Sequence, residues 1–296
     1  MIEGFRAGSE DVGEATIAYE AGGDGPPLLL LHGYPQTRRC WHLVAPALAD
    51  RFTVIAADLR GYGDSSAPQD GENHEGYSKR AMARDMVRLM ERLGHERFAV
   101  AGHDRGGRVV HRMVRDHPER VSRAALLDIV PTATLFGTVD QAVATSYYHW
   151  FFLIQPDGLP ETMIGHDPEW FLRETVRRWS GTARPVEEAA IREYARWFRR
   201  PEAVHASCED YRAGASIDLE HDRADAERRV ACPLLVLWGA EGRMGRIYDV
   251  LATWHAVADD VRGRALPGGH FVPEEAPRET VRELLQFFGE GGEDDG

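Results

Sequence analysis

Cysteine, lysine and long apolar runs are scarce in this chain, and each scarcity removes a class of explanation. The three cysteines, Cys40, Cys208 and Cys232, are odd in number, far apart and without a CxxC pair. They therefore suggest neither a disulfide framework nor a zinc site, and a reducing cytoplasm is the simplest setting. No run of 18 apolar residues occurs, so no segment reads as a membrane span. The opening Met-Ile-Glu-Gly-Phe-Arg lacks the basic-then-apolar pattern of a secretory signal. Lys79 is the one lysine among 35 basic residues, and 48 acidic residues leave a formal charge of -13. That balance argues against nucleic acid as a partner. The arginine pairs at 177–178 and 199–200 lie among glutamates in helical stretches and read as solvated faces.

What is present is a chain of 296 residues, 43% hydrophobic and 28% charged. This is enough for one large α/β domain with an insertion. Short apolar runs at 27–31, 52–57, 98–101, 124–129 and 234–238 read as buried strands. Helix-like stretches lie between them, including 78–93 and 107–116. The alternation predicts a parallel sheet with right-handed crossovers. Residues 14–20 alternate, so the sheet is expected to open with an antiparallel edge. The rhythm breaks after Pro131. The segment 138–227 holds four of the seven tryptophans and no good strand, and it reads as a helical cap. The core is then 1–137 and 228–296, with the cap over the carboxyl ends of the strands, where ligands bind in open α/β sheets. The tail 289–296, glycine and acid, is expected to fray.

Gly102-His103-Asp104-Arg105-Gly106 follows a strand and opens a helix. This is the G-x-nucleophile-x-G elbow of the α/β-hydrolase architecture, with Asp where Ser is usual. The glycines let strand and helix approach closely. A carboxylate needs no deprotonation at neutral pH and suits displacement at saturated carbon, leaving an ester for water to cleave. Taken alone, the motif is also compatible with a loop aspartate in a glycine-rich turn. His270, in Pro-Gly-Gly-His-Phe after a predicted last strand, has the position of the general base. Its acidic partner is Asp128, at the end of an apolar strand, or else Glu241. Asp128 otherwise reads as a turn cap. The loop His32-Gly33-Tyr34 and the residue after the nucleophile would supply two oxyanion N–H groups, from Tyr34 and Arg105. The run Asp58 to Gly63 reads as a structural turn.

Arg105 and Arg108 lie one helical turn apart, on one face. Two guanidiniums suit a substrate carboxylate; the alternative is pairing with surface acids such as Asp116.

With these residues in view, the elbow run from Gly102 to Val109 resembles that of the haloacetate dehalogenases, fluoroacetate dehalogenases in particular. So do the segment from His149-Trp150 to Pro156, the run Cys208-Glu209-Asp210-Tyr211-Arg212, and Trp179. The likeness runs from about Pro27 to Pro277. It implies that Asp104 attacks the halogen-bearing carbon and that Arg105 and Arg108 hold the carboxylate. It further implies that His270, oriented by Asp128, activates water. His149, Trp150 and Tyr211 would bind the departing halide, with Trp179 lining the pocket; Tyr147, Tyr148 and Tyr248 are alternatives to Tyr211. On composition alone, His149 and Trp150 could equally be cap core. The resemblance implies a small haloacid and water as the only partners, with no cofactor and no metal, and a homodimer. An epoxide hydrolase shares the fold and the Asp nucleophile but has no need of two arginines.

Overall fold

The structure is a computed structural model that describes residues 1–182 and 184–290. Residues 291–296, most of the tail expected to fray, lie outside the described residues. Eight strands form one sheet: β1 (Arg6–Asp11), β2 (Thr16–Gly22), β3 (Pro27–Leu31), β4 (Thr53–Ala57), β5 (Phe98–His103), β6 (Val121–Leu127), β7 (Leu234–Gly239) and β8 (Val261–Leu266). Their order is β1-β2-β4-β3-β5-β6-β7-β8. The first three in that order pair antiparallel and the rest parallel. This is the mostly parallel sheet that the strand rhythm predicts, arranged as the α/β-hydrolase fold that the elbow motif implies.

Central strands are covered on both faces, so they read as unbroken apolar runs; Leu28, Leu29, Leu30 and Leu31 are all fully buried. Edge strands differ. β1 and β8 are half exposed along their length, and β1 has too little apolar periodicity to be seen in the sequence.

The helix Arg105–Asp116 packs on β5 and β6 and against the helix Lys79–Arg92. Nearly all of it is buried, its arginines included. Burial on all sides forces those arginines to find partners. Asp116 is taken by Arg80 and Arg112, not by Arg105 or Arg108. Arg115 donates to the backbone of Asp225 and Arg228.

Between β6 and β7 the described residues form eight helices, from Thr132–Gly137 to Ile217–Ala224. The helix Pro201–Ala215 is their hub. It packs on the helices Tyr148–Leu153, Leu159–Gly165 and Glu188–Phe198, and on the core segment Glu72–Tyr77. Trp150, Trp179 and Trp197 are buried there; Trp170 is exposed. Among the described residues, no helix is long and apolar enough to cross a membrane.

The turn from Asp58 to Gly63 is held by charge. Asp58 accepts from the backbone of Arg38 and Asp64. Arg60, fully buried, bonds both oxygens of the equally buried Asp85 at 2.5 and 2.6 Å. Removing one charge of such a pair strands the other. Asp85→Asn is therefore expected to cost about 3–5 kcal/mol, read as a lowered urea midpoint with an unchanged slope.

Candidate active site

β5 ends at His103, and Asp104 follows with φ +45° before the chain enters the buried helix. A non-glycine residue in this region is strained and must be held by its surroundings. The neighbours leave no slack: a Cβ on Gly102 would lie 2.5 Å from the Gly106 carbonyl oxygen, and one on Gly106 2.5 Å from that of His32. The bend drives the carboxylate of Asp104 into a cavity of about 290 Å³ beneath the cap.

Its Oδ2 accepts from the Tyr34 N–H at 2.9 Å. The residue expected to supply an oxyanion N–H thus already holds one carboxylate oxygen and leaves Oδ1 outside that bond. Burial alone would push the Asp104 pKa up. The charges of His270 and the two arginines outweigh it and hold the carboxyl below its ordinary value.

His270 Nδ1 lies 2.6 Å from Asp128 Oδ2, and Asp128 Oδ1 accepts from Gly239 N–H at 3.0 Å. Glu241, the alternative partner, instead accepts from the backbone and hydroxyl of Thr182. Burial works against a charged imidazole. Asp128, and secondarily Asp104, reverse this and raise the His270 pKa above its ordinary value. His270 Nε2 stands 4.0 Å from Asp104 Oδ2, too far for a direct hydrogen bond and suited to one bridging water.

Two acids behind His270 gave no signal in the sequence. Glu275 accepts from Gly269, Phe271 and Gly181 N–H groups at 2.8, 2.9 and 2.5 Å, so it clamps both flanks of His270 and ties them to the cap. Glu274 is buried, and burial pushes its pKa up to about 8. It meets Gln36, which meets His103 Nδ1, whose Nε2 faces the His270 carbonyl at 2.8 Å. Burial also drives His103 down to about 3, so its ring is neutral. The Gln36 amide N–H donates to Glu274, and its side-chain oxygen faces His103 Nδ1 at 3.0 Å. A two-glutamate tail on a histidine loop carries no local pattern that distinguishes it from a helix start.

The two arginines behave differently. Arg108 lines the cavity and donates to the Val130 carbonyl and the Thr132 hydroxyl. It has no carboxylate partner in the described structure. Burial, then the charge of Arg105, lowers its pKa to about 10. Arg105 does not line the cavity. Its Nε and Nη2 are bound to Asp210 at 3.0 and 2.6 Å, and only Nη1 is left, buried and partnerless. The two guanidiniums named from the sequence thus differ, because an internal carboxylate claims most of Arg105. Asp210 also accepts from Lys79 and from Tyr62 Oη.

Of the three residues named for halide binding, His149 and Trp150 line the cavity and Tyr211 does not. Tyr211 packs edge-on against His149 and Trp150, with ring centroids 5.7 and 5.4 Å apart. Trp150 lies between both guanidiniums, 5.1 and 4.4 Å from its ring. Trp179 sits 4.3 Å from His149 and lines the same cavity. His149 Nδ1, Trp179 Nε1 and the hydroxyls of Tyr211 and Tyr34 are buried and have no partner among the described residues. Of the alternatives, Tyr147 reaches the cavity but donates to Met244 Sδ; Tyr248 meets Thr138 Oγ1, and Tyr148 is exposed.

Away from the cavity, Asp70, His205 and Glu209 bring possible metal-ligating atoms within 4.8 Å of one another. His205 is already engaged on both ring nitrogens by Asp70 and Glu161, and Arg212 bridges Glu161 and Glu209. The cluster is thus satisfied internally.

Glu275→Ala would leave three backbone N–H groups without their acceptor. It is expected to lower stability by about 3 kcal/mol in urea unfolding. Turnover should fall about tenfold or more, because the His270 loop loses its clamp.

Residues 26–277 match the family model for the alpha/beta hydrolase fold. A fluoroacetate dehalogenase of Burkholderia sp is 47% identical over 97% of this chain and 95% of its own length. A soluble epoxide hydrolase of Corynebacterium sp. (strain C12) is 35% identical over 97% of this chain and 95% of its own. The solved structure of ALR0039 from Nostoc sp PCC 7120 superposes with a TM-score of 0.95 at 55% identity, covering 97% of this chain and 99% of that one. Sheet, elbow and these likenesses agree: the chain is a hydrolase and belongs to the alpha/beta hydrolase fold family.

Proposed function

We propose that this hydrolase is a haloacetate dehalogenase that converts fluoroacetate to glycolate and fluoride through an ester on Asp104. One observation carries the reading. Lining the cavity with the Asp104 carboxylate are polar groups with no partner among the described residues, Arg108 Nε, His149 Nδ1 and Trp179 Nε1, and Arg105 Nη1 and Tyr211 Oη are likewise unpartnered beside Trp150, which lines it too. Buried donors are costly to leave unpaired. A site built this way calls for an anion, and a haloacetate supplies two in sequence, first its carboxylate and then its halide. The depressed Arg108 fits the same need, since a substrate carboxylate provides the countercharge that Arg105 draws from Asp210. The 47% likeness to a fluoroacetate dehalogenase supports it.

In the first step Asp104 Oδ1 bonds to the substrate carbon and the carbon–fluorine bond breaks. Its electron pair leaves with fluoride, toward His149, Trp150 and Tyr211. Fluoride concentrates its charge on one small atom, so several donors aimed at one point lower the barrier most. In the second step His270 Nε2 takes a proton from water, and the hydroxide adds to Cγ of Asp104. The Tyr34 N–H holds the oxyanion, and the ester carbon–oxygen bond to Cγ breaks as the His270 imidazolium returns its proton to the departing oxygen, freeing glycolate. Asp128 stabilises the imidazolium.

An epoxide hydrolase is the second reading, favoured by the partnerless hydroxyls of Tyr34 and Tyr211, whose rings lie 5.4 Å apart. Fluoride released from fluoroacetate without diol formation from styrene oxide decides for the dehalogenase; the converse decides against it.

With excess enzyme in heavy-oxygen water, first-turnover glycolate is expected to carry ordinary oxygen from Asp104; immediate label in that product would mean direct attack by water. His270→Ala is expected to accumulate a glycolyl adduct by intact mass. The two steps also differ in pH dependence. Asp104 stays ionised well into acid, whereas hydrolysis needs neutral His270, whose pKa is raised. Turnover should therefore fall as pH drops, with its acid limb above about 6.5, the ordinary imidazole value. Below it the wild type should accumulate the same adduct.

A further inference from the structure

The cavity that holds Asp104 is lined by four arginines, Arg108, Arg178, Arg243 and Arg246, against three carboxylates. The excess is notable in a chain of net charge -13. These arginines are graded by depth. Arg246 is exposed, the Arg178 side chain is 56% exposed, Arg243 is half-buried, and Arg108 is 4% exposed beside the nucleophile. The carboxylates are all committed: Asp128 to His270, Glu241 to Thr182, and Asp104 to the reaction. The outer arginines are not. Among the described residues neither Arg243 nor Arg246 has a carboxylate within ion-pair distance, and Arg178 reaches Glu174 only at 3.7 Å. Arg243 is held by backbone alone, donating to the carbonyls of Ser146 and Arg178. A guanidinium fixed by neutral carbonyls keeps its full charge for a visitor.

We infer that Arg243 and Arg246, with Arg178, form an outer anion subsite at the cavity mouth, where a small monocarboxylate docks before passing inward to Arg108. The inference takes its substrate from the haloacetate reading, and its geometry is independent of it. A cleft lined by one sign of charge and walled by low-dielectric protein focuses its field and raises the local concentration of counter-ions. The acidic exterior does not cancel this, because exposed charge is screened within about 10 Å. The same subsite lies on the way out for the two anionic products.

The test is the double variant Arg243→Gln with Arg246→Gln. Fluoride release from fluoroacetate is measured from about 10 mM to about 500 mM ionic strength. At low salt kcat/KM is expected to fall about three- to tenfold, with kcat within about twofold of wild type, and the deficit should close at high salt. Equal kcat/KM at low salt, or a loss that falls on kcat and ignores salt, overturns the subsite. Iodide and acrylamide quenching of tryptophan fluorescence provides a separate reading. It is done in a Trp170→Phe background, because Trp170 is 62% exposed and would mask Trp179 at the cavity. The double variant should lose about half or more of the iodide quenching and keep that by neutral acrylamide; unchanged iodide quenching overturns the subsite. Should wild type release no halide from any haloacetate, the functional reading falls, while the quenching result still decides the subsite.

Discussion

Asp210 is the pivot on which the site turns. It belongs to the long cap helix Pro201–Ala215, is fully buried, and gathers Lys79 and Arg105 from two different core helices. Pulled up by burial and down by those two cations, its pKa ends well below the ordinary carboxylate range. A buried charge cluster of this kind contributes little net stability, yet breaking it is costly, so its value lies in fixing one arrangement. Here it fixes the cap on the core. It also pins the guanidinium of Arg105 against the rings of Tyr211 and Trp150.

From that pivot the division of labour between the arginines follows. With Arg105 largely neutralised by Asp210, Asp104 is not overwhelmed by two free cations at close range. A nucleophile paired too tightly would be a poor one. Among the described residues no carboxylate stands within ion-pair distance of Arg108, although Asp104 favours its charge from farther off. In the proposed reaction an anionic ligand completes this charge arrangement, which is a more restrictive condition than a pocket of suitable size.

Much of this was legible in the sequence, for local reasons. β3 to β7 are short apolar runs closed by turn residues, and a strand buried on both faces can hardly look otherwise. Asp104 and His270 stand in glycine-flanked turns whose chain order reflects the fold. Asp128, a carboxylate at the end of an apolar strand, is favoured over Glu241 on that ground, and it is the one that the last loop reaches. The commitment of Arg105 to Asp210 joins residues 105 positions apart, and nothing in either segment announces the other. Glu274 and Glu275 were unreadable for a related reason: an acid at the start of a short helix is ordinary, and only the backbone groups converging on it give it a task. β1 escaped notice because an exposed edge strand need not be apolar.

The burial of the one lysine has a practical corollary. Lys79 is 3% exposed and held by Asp210 from the cap and by Asp218 nearby. Acylating reagents that seek primary amines therefore meet no lysine on the closed molecule. Labelling of that single side chain would therefore report whatever local opening frees it from Asp210, readable in the unmodified protein without an engineered probe.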